Sequence, residues 1–180
     1  MLAPPALAVI GQVLLGTLVA VASVFDIWFR RIPNWLVLAG AGAGLLWNVS
    51  AGGWSGFGRA LAGLGLGFAI YFPLFLLRAL RGGDIKLLAA VGAVTGPGNV
   101  FWIFLLTSVL GGIIAFFYAL FLGHLRRTML NVSWIVHDLL TFRAPYKSSE
   151  TLDVSTTKGT RLPHAPLMAA GVIAFILISR

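Results

Sequence analysis

Residues 6–25 read ALAVIGQVLLGTLVAVASVF, an apolar run whose polar interruptions are Gln12, Thr17 and Ser23. At about 1.5 Å of rise per residue it covers a hydrocarbon core of about 30 Å, so it is predicted to span a membrane as a helix. It lacks the alternation of a barrel strand. No basic residue precedes it, which argues against a cleavable signal even though Ala20-Val21-Ala22 resembles a cleavage site.

Further apolar runs follow at Trp35–Val49, Ala60–Leu77, Asp84–Val94, Val100–Leu122 and Ala165–Ser179. The 180 residues are 59% apolar and 10% charged. One soluble core cannot hide that much apolar surface at this length, and in lipid the backbone must satisfy its own polar groups. The expected fold is therefore all-α and polytopic, with residues 1–180 forming a single membrane-embedded domain. Absent cysteines exclude disulfides, thiolate metal sites and cysteine nucleophiles.

The Asp84–Val94 run is short for a span and reads equally as a re-entrant turn or a buried short helix, and charge decides how to count it. With six crossings, Arg30, Arg31, Arg78, Arg81, Lys86, Arg126, Arg127, Arg143, Lys147, Lys158 and Arg161 share one face, and Arg59 and Arg180 the other. Without a crossing there, the basic residues divide almost evenly. The positive-inside rule favours six spans, with both termini outside the cytoplasm. The net charge of +8 then reads as membrane orientation, and no nucleic-acid partner is expected. Between Arg126 and Arg143, Met129, Val132, Val136, Leu139 and Leu140 recur at helical spacing, as in an amphipathic helix on the membrane surface. The polar stretch 144–161 reads as a loop. Gly40, Gly42 and Gly44, and Gly63, Gly65 and Gly67, are expected to let helices approach closely. Asn48-Val49-Ser50 fits a glycosylation pattern that is read as chance.

The chain has five acidic residues. Asp138, Glu150 and Asp153 fall in the surface helix and loop, where a solvated carboxylate needs no explanation. Asp26 and Asp84 fall at the same cytoplasmic boundary, at the end of the first span and the start of the fourth. An ionisable group within a span is a functional candidate, costing about 2.5 to 3.5 kcal/mol at the bilayer centre and less near the interface. The structural alternatives are an N-cap for Asp84, after Gly82-Gly83, and an i, i+4 pair of Asp26 with Arg30. Two carboxyls sharing a partly dry site suit peptide hydrolysis: one stays charged and activates water, while the other keeps a proton for the scissile carbonyl and the leaving amine. They titrate as a coupled pair. No metal or cofactor is needed. His124, His137 and His164 lack metal-ligand spacing and are read as solvated or interfacial.

These residues carry a resemblance. Asp26-Ile27-Trp28-Phe29-Arg30-Arg31-Ile32-Pro33-Asn34 is similar to the "D…RRIPN" segment of type IV prepilin peptidases. Gly82-Gly83-Asp84-Ile85-Lys86-Leu87-Leu88 resembles their "GxGDxKLL" segment, and Leu162-Pro163-His164-Ala165-Pro166 a proline-bearing segment before their last span. The resemblance implies an aspartic endopeptidase of the inner membrane that removes the basic leader from prepilins at the cytoplasmic face. Asp26 and Asp84 are its implied catalytic pair. Arg30, Arg31, Pro33, Asn34, Gly82, Gly83 and Lys86 are implied to shape the site, with prepilin and membrane lipid as partners. Pro33 disfavours helix at Ile32, and Gly82 and Gly83 permit close backbone approach to a substrate strand. Arg81 replaces the first glycine of GxGD, a departure that bears on the turn before Asp84. The small size and missing cysteines resemble the short enzymes of Tad/Flp pili, without a methyltransferase region. The rival classes are a non-enzymatic pilus-assembly component or proton or ion conductor, and a related enzyme for archaeal preflagellins.

Overall fold

A computed structural model describes residues 8–77, 80–121, 123, 130, 133 and 163–179. The described residues form helices and no strand. Helix α1 spans Val9–Phe29, α2 Asn34–Leu76, α3 Gly82–Thr95, α4 Pro97–Phe121 and α5 His164–Ile178. Helices α1, α2 and α4 are long and apolar enough to cross a membrane, whereas α3 and α5 have 14 and 15 residues. Apart from Leu130 and Ser133, the surface helix expected at 126–143 and the loop at 144–161 lie outside the described residues.

The first expected span is displaced: α1 runs to Phe29 rather than Phe25, so Asp26 lies within the helix. Helix α1 ends where Arg30 takes a left-handed conformation (φ 50°) and returns its N–H to the Asp26 carbonyl. Pro33 then caps α2 from an extended backbone, with Ile32 outside both helices, as its ring requires.

The second and third expected spans form one helical element, α2, broken at Gly53 (φ 55°, ψ −134°). Side-chain-bearing residues rarely adopt that φ, and the chain uses it to double back. The backbone carbonyl of Asn48 sits where a Cβ on Gly56 would stand, an approach impossible along a straight helix. The two arms, 34–52 and 54–76, are antiparallel: Gly44 packs on Ala93 and Val94, while Gly63 and Gly67 pack on Gly92 and Leu88.

Helix α3 lies between these arms with eleven of its fourteen residues buried. Being covered on all sides, it has no apolar stripe for a periodicity reading to find. The glycines make the approach possible, since a Cβ on either Gly63 or Gly92 would strike the other's carbonyl. In lipid, such close van der Waals contact drives helix association. Gly40 faces Leu18 of α1, but Gly42 and Gly65 meet nothing. At the far end Asn48 donates its buried amide to the carbonyls of Gly44, Ala93 and Val94, satisfying acceptors that α3 leaves open in its last turn. Asn48 is therefore buried with its amide committed to these carbonyls. Gly171 packs against Thr107, seating α5 on α4.

Candidate active site

The candidate residues gather at one end of the bundle: the end of α1, the start of α2, the start of α3 and the start of α5. Asp26 and Asp84 are each 7% exposed. Both line one cavity of about 200 Å³, together with Arg30, Arg31, Ile32, Arg81 and Gly83. The charge on Asp26 acts on Asp84, so the two carboxyls share an electrostatic environment.

Each carboxylate is held by one backbone amide. Asp84 Oδ2 accepts the N–H of Arg81 at 3.2 Å, while Asp84's own N–H donates to the Arg81 carbonyl at 3.1 Å. The N-cap is Arg81 and not Asp84 as expected; Asp84 reaches back to it from the third helical position as a capping-box acid does. Capping and exposure to the cavity coexist because a carboxylate has two oxygens. Asp26 Oδ2 accepts the N–H of Ala165, at the second position of α5, at 3.0 Å. Asp26 is thus anchored across the bundle, and the pairing with Arg30 is not what holds it. Neither Oδ1 is engaged in a hydrogen bond among the described residues.

The segment Pro163-His164-Ala165-Pro166 explains the second anchor. A helix start leaves its first N–H groups without intrahelical partners. Prolines at 163 and 166 carry no N–H, so His164 and Ala165 supply the donors at this end, and one of them meets Asp26. The positive end of the α5 dipole faces the same carboxylate.

The other motif residues knit the turns together. The Arg81 guanidinium donates to the Arg30 carbonyl at 2.9 Å, joining the turn after α1 to the start of α3. Arg81 has φ −89° and ψ 155°, an extended backbone open to any residue, so the missing motif glycine costs nothing in turn geometry. Lys86 Nζ donates to Asn34 Oδ1 at 3.0 Å and ties α3 to α2 on the outside. Gly83 is tight against this chain's own Ile32, whose Cβ would lie 3.3 Å from an added Cβ. Gly82 has room, with a Phe75 ring carbon at 3.8 Å.

The solvated or interfacial role expected for His164 is not what the structure shows. It is half-buried and shares a hydrogen bond of 2.9 Å with the buried Tyr71 hydroxyl. Tyr71, an aromatic in an apolar run, was invisible to motif reading; Ala165 lies in the proline-bearing segment, but its contact with Asp26 uses an amide that every residue but proline possesses. The flanking prolines were the available signal.

The family model that matches this chain is described as the type IV leader peptidase family, and it covers residues 13–116. That region includes both aspartates and excludes α5. No curated protein and no solved structure matches the chain.

Proposed function

The chain belongs to the type IV leader peptidase family, and from that premise we propose that it is an aspartic endopeptidase with Asp26 and Asp84 as its catalytic pair. The observation that carries this reading is the shared cavity, with one oxygen of each carboxyl held by an amide. The charged carboxylate takes a proton from water as the water oxygen attacks the scissile carbonyl. The protonated partner donates a hydrogen bond to the carbonyl oxygen, and the carboxyl that took the water's proton passes it to the leaving amine as the C–N bond breaks. Chemistry of this kind runs on positioning and proton transfer alone.

The substrate is a prepilin of the Flp type, cut between its basic leader and its apolar helix at the cytoplasmic face of the inner membrane. Arg30, Arg31, Arg81 and Lys86 lie at the dyad end, and Arg59 lies over Gly96 at the other. This distribution supports a cytoplasmic dyad under the positive-inside rule. It also supports six crossings within one domain: α1, the two arms of α2, a short internal α3, α4 and α5, with both termini on the non-cytoplasmic side.

Co-expression with a prepilin bearing a basic leader, then glycine, then an apolar helix tests the reading by a size shift on a blot. Leader removal that depends on this chain supports it. Proton flux in vesicles without any cleavage would replace it with the conductor class.

A further inference from the structure

The α5 start that holds Asp26 lies outside the region matched by the family model, so what aims it has to be sought in this chain's own contacts. Pro163 provides no side-chain cap, and the packing of Gly171 on Thr107 lies two turns further along. At the start itself, His164 is bonded to Tyr71, and the residue covalently next to it is Ala165.

Tyr71 is well fixed. It is 2% exposed in the second arm of α2. Its ring stands edge-on to Phe104 of α4 at 5.8 Å and tilted to the His164 ring at 5.5 Å. A tyrosine hydroxyl so deeply placed needs a hydrogen-bond partner, and His164 Nε2 supplies it at 2.9 Å. One dipeptide therefore makes two anchored contacts: His164 to α2, and Ala165 to Asp26 of α1. The charge of Asp84 acts on Tyr71, and His164 acts on Asp84, which puts the pair beside the second carboxyl as well.

We propose that the Tyr71–His164 hydrogen bond is a latch that aims the Ala165 amide at Asp26, making Tyr71 and His164 positioning residues for the dyad. The inference rests on the reading of Asp26 and Asp84 as the catalytic pair. If the latch opens, the start of α5 is free to move, and Asp26 loses the donor that orients its open oxygen. Misplacement of a reacting group by about 1 Å is enough to cost up to about 100-fold in rate.

The test uses the purified full chain in detergent and a prepilin with a basic leader, glycine and an apolar helix, with kcat and KM measured separately. Tyr71→Phe and His164→Phe keep a ring at each position. Each is expected to lower kcat about tenfold with KM changed by less than about twofold. The double variant is expected to lose no more than either single one, because the same bond is broken. His164→Gln, whose amide reaches the place of Nε2, is expected to recover most of kcat. Thermal unfolding midpoints close to that of the parent chain accompany these results. Unchanged kcat in either Phe variant, additive losses in the double variant, or failure of Gln to rescue would overturn the latch. Asp26→Asn separates the two claims: full-rate Tyr71→Phe beside a dead Asp26→Asn removes the latch alone, and an active Asp26→Asn removes the dyad.

Discussion

Asp26 receives a hydrogen bond from the amide of Ala165, 139 positions further along the chain, at 3.0 Å. The contact joins the first described helix to the last and orients one carboxylate from behind. A bond of this kind contributes about 0.5 to 1.5 kcal/mol to a neutral carboxyl and about 1.5 to 3 kcal/mol to a charged one.

The donor is removable without removing a side chain. Ala165→Pro deletes the N–H at a position in the first helical turn, where proline is tolerated best. We expect kcat for leader removal to fall at least about tenfold, in line with the loss of about 1.4 kcal/mol or more. Ala165→Gly retains the N–H and is expected to stay within about threefold of the parent, since glycine costs an exposed or buried helix only about 1 kcal/mol of stability. Equal activity in the two variants would show that the amide does not matter.

Gly82 and Gly83 divide in the same way. A methyl on Gly83 crowds Ile32 at 3.3 Å, and a methyl on Gly82 meets an ordinary contact at 3.8 Å. Gly83→Ala should push Ile32 and the turn after α1 away from Asp84 and lower activity several-fold, whereas Gly82→Ala should be nearly silent. Parallel assays of the two variants check this, and a harmful Gly82→Ala with a harmless Gly83→Ala contradicts it.

How much of this was readable beforehand depends on which atoms do the work. The meeting of Asp26 and Asp84 at one cavity was legible because two aspartates in an apolar chain are conspicuous, and because Pro33 and the glycines mark the turns beside them. The Asp84–Val94 run was legible only as apolar: α3 is buried on every side, so it has no amphipathic face. Its shortness pointed to a buried helix as one alternative, and the two arms of α2 that enclose it supply the cover. The break at Gly53 falls in the gap left between the runs 35–49 and 60–77, although which of the glycines there would turn the chain had no distinguishing sign. Ala165 acts through its backbone, and backbone donors have no residue-type signature. Arg81 looked like a defect in a glycine motif because its backbone angles and its bond to the Arg30 carbonyl are products of the fold.

Helix packing offers a prediction independent of catalysis. Gly63 and Gly92 meet backbone to backbone, while nothing stands within 4 Å of a Cβ on Gly65. Gly63→Ala or Gly92→Ala is expected to destabilise by about 1 to 3 kcal/mol or more, because neither carbonyl can yield without moving a helix. Gly65→Ala is expected to be neutral or stabilising by up to about 1 kcal/mol. Denaturation of the purified chain in mixed micelles measures both.

Arg81 provides a fourth. Its guanidinium bond to the Arg30 carbonyl links the two turns that flank the cavity, and its φ makes no demand for glycine. Arg81→Gly, which restores the motif residue, should preserve the capping contact with Asp84 yet lower cleavage several-fold by freeing the Arg30 turn. Arg81→Lys should recover part of the loss. A Gly variant faster than the parent would mean that the bond restrains the site instead of organising it.

The most direct measurement takes the purified chain and its Asp26→Asn and Asp84→Asn variants, each folded by its thermal midpoint, and follows leader removal from one prepilin over time. Asparagine preserves size and hydrogen bonding to the Ala165 and Arg81 amides but cannot hold or accept the proton. The account predicts that each single variant loses cleavage by at least about 1,000-fold, as expected when proton transfer between paired groups is abolished. Cleavage by either variant within about tenfold of the parent chain would contradict a two-carboxylate mechanism.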